Sequence, residues 1–188
     1  MISPTTELDA VNEIIGAIGE APVNTLENLM NVDVINALRI LRNNNRAFQS
    51  RGWSFNSVTE YPLNPDVYSK KIKWLDVYLK IDGEEGTKYV KQGDYVYDLI
   101  AKTSIFESPI SINAIILVPF EDMPETARNY IVAKASAEFQ SRYLGDESLT
   151  QILNNKVQET WQYLQEDELD KNEYNLLDHT HVQELLTR

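Results

Sequence analysis

The sequence predicts an α+β protein: a bundle of about four helices with an antiparallel β domain inserted between the second helix and the third. Three observations point there. Apolar residues fall at three- and four-residue spacing over residues 5–52. Residues 53–120 switch to two-residue alternation and β-branched runs, and residues 121–172 return to helical spacing. The expected domains are residues 1–52 together with 121–188, and residues 53–120. With 188 residues, 43% of them apolar, the chain is long enough to bury a core.

The first helix is expected over Thr6–Ile18. Thr5 or Thr6 caps it, Leu8, Val11, Ile14, Ile15 and Ile18 share one face, and Gly19 supplies a left-handed end. The second is expected from Val32 to about Arg51, capped by Asn31, with Val34, Ala37, Leu38, Leu41 and Phe48 as its buried stripe. Residues 71–82, Lys-Ile-Lys-Trp-Leu-Asp-Val-Tyr-Leu-Lys-Ile-Asp, read as a half-buried strand. Tyr89-Val90 and Tyr95-Val96-Tyr97 flank Gly93-Asp94 as a hairpin, and Ile110–Val118 reads as a central strand that Pro119 stops. The third helix opens at Asp122-Met123-Pro124-Glu125 with capping-box spacing and ends near Leu144-Gly145. The fourth starts near Asp146 and runs past Trp161, with Leu149, Ile152, Leu153, Val157 and Leu164 along one side. A polar tail containing Leu176-Leu177 and Leu185-Leu186 follows.

Composition narrows the function classes. The absence of cysteine excludes disulfides, thiolate metal sites and cysteine nucleophiles. Acidic residues outnumber basic ones 29 to 17, a balance opposite to that of a generic phosphate binder. No apolar run is long enough to span a bilayer, and the N-terminal Met-Ile-Ser-Pro-Thr-Thr-Glu lacks the regions of a signal peptide. No glycine loop that would cradle phosphate is present, and no Gly-x-Ser-x-Gly setting. The carboxylate clusters Glu84-Glu85, Glu121-Asp122 and Glu166-Asp167-Glu168 read as solvated or capping charge rather than as catalytic pairs. His179 and His181 read as tail residues rather than as metal ligands. The expectation is a protein without catalytic residues, metal or cofactor; a polysaccharide or peptidoglycan hydrolase is the alternative.

Charge is polarised along the chain. Residues 31–52 hold four arginines and one aspartate, whereas residues 145–178 hold nine acids and two lysines. Arg39, Arg42 and Arg46 share one helix face, and the reading favoured here pairs them with the acidic last helix, Glu166, Asp167 and Glu168 included, of the same chain or a neighbour.

The order of particular blocks carries a resemblance. Residues 10–27 (AVNEIIGAIGEAPVNTLE), Ala37-Leu38-Arg39-Ile40-Leu41 leading to Gln49-Ser50-Arg51-Gly52-Trp53-Ser54-Phe55-Asn56, and Pro65–Ser69 are its first part. Tyr95–Asp98, Asp122–Glu125, Tyr130-Ile131-Val132, Lys134-Ala135-Ser136 and Leu185–Arg188 complete it. In this order they resemble the tail tubular protein A family of short-tailed, T7-like bacteriophages. The resemblance is weaker over residues 76–118 and 146–175. It implies a helical bundle with an inserted β domain, and a structural virion protein made in the host cytoplasm. By the same resemblance, twelve copies form an adaptor or gatekeeper ring between the portal protein and the nozzle, tail tubular protein B, with tail fibre protein docked at the junction. Phage DNA would pass through the channel without specific binding, and no membrane insertion is expected. Applied to these residues, it implies a subunit interface at Arg39, Arg42, Arg46, Glu166, Asp167 and Glu168. It also implies a portal-binding tail at Leu176, Leu177, Leu185, Leu186 and Arg188, and a nozzle- or fibre-facing β domain with Trp74, Tyr78, Tyr95 and Tyr97.

Overall fold

A computed structural model describes residues 5–27, 30–83 and 86–178, with side chains to Lys171. The protein is α+β. Its elements run α1 (Glu7–Gly16), α2 (Val32–Gln49), β1 (Ser57–Leu63), β2 (Tyr78–Gly83), β3 (Tyr89–Gln92), β4 (Tyr95–Asp98), β5 (Ile110–Ile116), α3 (Glu125–Tyr143) and α4 (Glu147–Asp178). Contacts divide the chain into two compact units, residues 1–45 with 119–188, and residues 46–118.

The helical unit is built around α3. This helix buries residues on several sides, among them Ala127, Ile131, Val132, Ala135 and Phe139, so it has no wide polar face. α1 buries Ala10, Val11, Ile14 and Ile15. Its start is fixed by a capping box: the Thr6 hydroxyl accepts from the Asp9 N–H, and the Asp9 carboxylate accepts from the Thr6 N–H. The helix ends at Gly16, two residues short of the expected Ile18. The Asn12 side chain then holds the following loop by bonding the Val23 N–H (2.8 Å) and carbonyl (3.0 Å). Asn31 caps α2 through its side-chain oxygen to the Asp33 N–H. The buried stripe of α2 includes Ile40, which the sequence reading omitted, while Leu38 is only half-buried.

The expected capping box at the start of α3 is not formed. Asp122 lies in a 3-10 turn over Phe120–Asp122, and Pro124 occupies the cap position without a side-chain hydrogen bond. The Glu125 carboxylate instead meets the Thr5 hydroxyl and the Arg128 guanidinium. Arg128, almost fully buried, also donates to the Glu121 carbonyl at 2.8 Å.

α4 begins where Asp146 caps the Leu149 N–H (2.7 Å). Buried Gln140 of α3 donates to the Asp146 carbonyl (2.8 Å) and accepts from the Thr150 hydroxyl (2.7 Å). Among its described side chains Thr160 and Leu164 are buried, Trp161 packs on Tyr130 with ring centroids 5.0 Å apart, and Ile152, expected on the packed side, is exposed. With 32 residues, α4 is about 48 Å long.

In the β unit, β5 is the central strand of an antiparallel sheet ordered β1-β5-β2, and β3 and β4 form a separate hairpin. β1 was not anticipated. It pairs Leu63 with Ile110 and Val58 with Ala114, and a bulge between them leaves Glu60 at φ 54° with its N–H on the Asn113 side chain. β2 starts only at Tyr78, so the strand expected over 71–82 is half that length. The segment before it meets the hairpin through single bonds, Val96 N–H to the Ile72 carbonyl and Trp74 N–H to the Asp94 carbonyl. Leu63, Ile72, Tyr78, Ile81, Val96, Phe106, Ile112 and Ala114 make the core.

The two ends of the β unit are joined by amide side chains. Gln49, fully buried, donates to the Val118 carbonyl (2.9 Å) and accepts from the Val118 N–H (2.8 Å), the same double exchange that two strand residues make. Asn56, also buried, donates to the carbonyls of Gln49 and Ile116 and accepts from the Trp53 N–H. Gly52 makes the turn between them at φ 80°, where a side chain would also meet Ile115.

Candidate interaction surfaces

The arginine face of α2 is exposed, but its central member is already paired. Arg42 makes a two-pronged contact with Glu7 of α1, Nε and Nη2 each 2.9 Å from a carboxylate oxygen. This contact raises the guanidinium pKa, chiefly by the hydrogen bond to Glu7. Within the chain, then, its partner is α1 and not the acidic last helix. Arg39 reaches only Asn36 of its own helix, at 3.4 Å, and Arg46 is exposed.

On α4 the acidic turn divides similarly. Asp167 accepts from Lys171 (2.8 Å) and from the Thr126 hydroxyl of α3 (2.9 Å). Its carboxyl is held below the usual range, first by the Lys171 bond. Glu166 is exposed and Glu168 half-buried. Leu176 and Leu177 lie in the last turns of α4, so the helix extends beyond the expected tail boundary. Leu185, Leu186, Arg188 and both histidines lie outside the described residues, as do Glu84 and Glu85.

The aromatic residues proposed for the β unit are not equivalent. Tyr78 is almost fully buried in the core and is met edge-on by half-buried Trp74 at 6.0 Å. Tyr95 is exposed with the Lys71 ammonium 5.0 Å from its ring centre, and Tyr97 is half-buried.

Two features of the β unit went unread in the sequence. The open end of the sheet holds an apolar groove of about 220 Å³ lined by Val58, Tyr61, Leu75, Val77, Tyr78, Ala114 and Ile116. Beyond the other end of β1, the turn Asp66–Lys71 presents Val67 and Tyr68, 76% and 95% exposed. Asp66 holds this turn: its carboxylate accepts from the Tyr68 and Ser69 N–H groups and the Ser69 hydroxyl. Those bonds lower its pKa. The main chain closes through Asp66 N–H to the Lys71 carbonyl and Lys70 N–H to the Asp66 carbonyl, both 2.9 Å. Asn-Pro-Asp at 64–66 is a turn signature that could have located it.

In the helical unit a cleft of about 390 Å³ lies among Glu13, Thr126, Asn129, Ala133, Lys156, Thr160 and Tyr163. Among the described residues no group of three or more His, Asp or Glu could hold a metal ion, and no helix is long and apolar enough to cross a membrane.

A family model described as tail tubular protein matches residues 8–174. Tail tubular protein A of Klebsiella phage KP34 is 32% identical over 145 residues, covering 76% of this chain and 75% of that protein.

Proposed function

The chain belongs to the tail tubular protein family, and from that premise we propose that it is the head-to-tail adaptor of its virion. It is a structural protein of a phage tail. In the proposed role, copies form a twelve-fold ring below the portal, with the nozzle and tail fibres attached beneath, and the ring forms part of the ejection channel. Residues 1–52 with 121–188 and residues 53–120 serve as its two domains. The observation that carries the reading is the extent of the family match, which takes in both the helical and the β unit.

Physical features support it. A closed ring needs one face of each subunit to complement a different face of the next. Arg39 and Arg46 on one helix and the acidic turn at Glu166–Glu168 on another supply opposite charges for such a contact. Arg42 and Asp167 bring less, because each already has a partner in its own chain. The segment from Leu176 to Arg188 is assigned to the portal, and the β domain with Trp74, Tyr78, Tyr95 and Tyr97 to the nozzle and fibres. A net charge of −12 lets DNA phosphate slide past without lasting contact. No step of this role needs a catalytic group or a cofactor.

The test is the native mass of the protein alone and with its cognate portal. Twelve copies per portal ring is the expected result. A protein that stays free beside an intact portal sinks the adaptor role.

A further inference from the structure

We propose that α2 of one copy packs parallel against α4 of the next, in the register that sets Val32 on Ile152, Arg39 on Glu159 and Arg46 on Glu166. The proposal rests on the ring reading and deepens it, giving the subunit contact a direction and a register.

Each of these helices buries one face and turns a second face to water. On α2 the second face carries Val32, Arg39 and Arg46 at seven-residue spacing, with Ile35 and Arg42 beside them, all exposed. On α4 it carries Ile152, Glu159 and Glu166, also at seven-residue spacing and all exposed. Residues seven apart drift by only about 20° around a helix, so each trio makes a stripe that another helix can follow. Each stripe opens on an apolar residue left in water, Val32 at 66% exposure and Ile152 at 63%. The charges behind them are not spent on the rest of the chain. Arg39 reaches only Asn36 of its own helix, and Glu159 only Lys156 and Tyr163 of its own. Among the described residues the side chains of Arg46 and Glu166 make no hydrogen bond or ion pair. The two faces are opposite in charge and alike in carrying an apolar end, which makes each the complement of the other.

Charge alone allows two directions, and the apolar residues choose between them. Run antiparallel, the helices keep two ion pairs by setting Arg39 on Glu166 and Arg46 on Glu159. Ile35 then faces Asp170, and Ile152 falls beyond the end of α2 at Gln49. Run parallel, the same four charges pair and Val32 covers Ile152. A slip of one heptad sets Val32 on Glu159 or Arg39 on Ile152, so the register is defined as well as the direction. Arg42, already held by Glu7, comes opposite uncharged Gln162 and needs no second carboxylate. The seam covers two heptads, about 21 Å of helix. One face meeting a different face is a head-to-tail contact, which repeats from copy to copy and closes as a ring.

The natural chain has no cysteine, so an introduced pair reports on its own. Val32→Cys and Ile152→Cys are placed together in the full chain, which is assembled with its cognate portal and oxidised. The expected product is a ladder of covalent oligomers, reversed by a thiol, with position 32 of one copy joined to position 152 of another. Ile35→Cys with Asp170→Cys, which probes the antiparallel register, should give no ladder. As a companion, Arg39→Glu should raise the concentration needed for assembly about threefold or more, and adding Glu159→Arg should restore it. Circular dichroism should show both variants folded when free. A ladder from the 35/170 pair alone, a disulfide closed within one chain, or no disulfide in a ring of proven mass overturns this seam and leaves the adaptor role standing. So does a charge reversal at Arg39 that has no effect on assembly or that Glu159→Arg does not rescue. Failure of the parent protein to assemble overturns the adaptor role and the seam with it.

Discussion

Replacing Gln49 by alanine removes two hydrogen bonds and strips two main-chain groups of Val118 of their partners. The bonds are 2.8 and 2.9 Å long, and the Gln49 side chain has no contact with solvent. A donor or acceptor left unsatisfied costs about 1–3 kcal/mol, the lower part of that range where water can reach it. Two such groups, with the lost packing, give an expected destabilisation of about 2–4 kcal/mol. Urea unfolding measures it, and amide exchange localises it, since the Val118 N–H should lose protection first. Gln49→Glu sharpens the test. Its carboxyl can accept from the Val118 N–H, but only its protonated form can also donate to the Val118 carbonyl. Its folded pKa is then raised, so its stability is highest below about pH 4.3 and falls as pH rises from there. A loss under about 1 kcal/mol for the alanine variant, with Val118 exchange unchanged, would refute the claim that Gln49 joins the ends of the β unit.

Gly52→Ala forces a methyl group into a left-handed backbone and to 3.0 Å from Ile115 Cδ1; a loss of about 1–2 kcal/mol or more is expected by thermal unfolding. The Arg42–Glu7 pair is largely exposed on the arginine side, at 61%, so a double-mutant cycle should give a coupling of only about 0.2–1 kcal/mol. Asp167 has a lowered folded pKa, so its contribution is complete above the unfolded value of about 3.9 and is lost as pH falls through the folded one. Asp167→Asn should therefore flatten the acid limb of the stability curve, and an unaltered limb would count against the Lys171 and Thr126 contacts.

Helix positions were legible because their signals are local. Thr6, Asn31 and Asp146 each have a capping oxygen placed for the next N–H groups, and α1 declares its buried face by spacing alone. The hairpin and β5 were legible for the same reason, one from its Gly-Asp turn and the other from its β-branched run. β1 was not, because its alternation is interrupted twice, by the Glu60 bulge and by Pro62, which only an edge strand tolerates. Residues 72–77 alternate like a strand but spend their backbone bonds singly on the hairpin, a tertiary choice that leaves no trace in spacing. The charge stripe was visible, but its partner was not: Glu7 sits 35 residues from Arg42, and only the packing of α1 brings them together. The groove was invisible for a related reason, since an unfilled apolar face reads in sequence like core, whereas the turn at Asp66 carried the signature Asn64-Pro65-Asp66 and went unread.

The amide bridge at Gln49 bears on how the chain finds its fold. The helical unit is made from two separate stretches, and its outermost link, from Thr5 to Glu125, spans 120 residues. Closing so long a loop costs entropy that grows with its length, by about 0.6 kcal/mol per doubling. Once the β unit has formed, Gln49 and Val118, 69 positions apart, are already in contact, and the chain between them no longer counts toward that loop. The cheaper route is therefore β unit first and bundle second, with the insertion serving as the nucleus on which the two halves of the bundle meet.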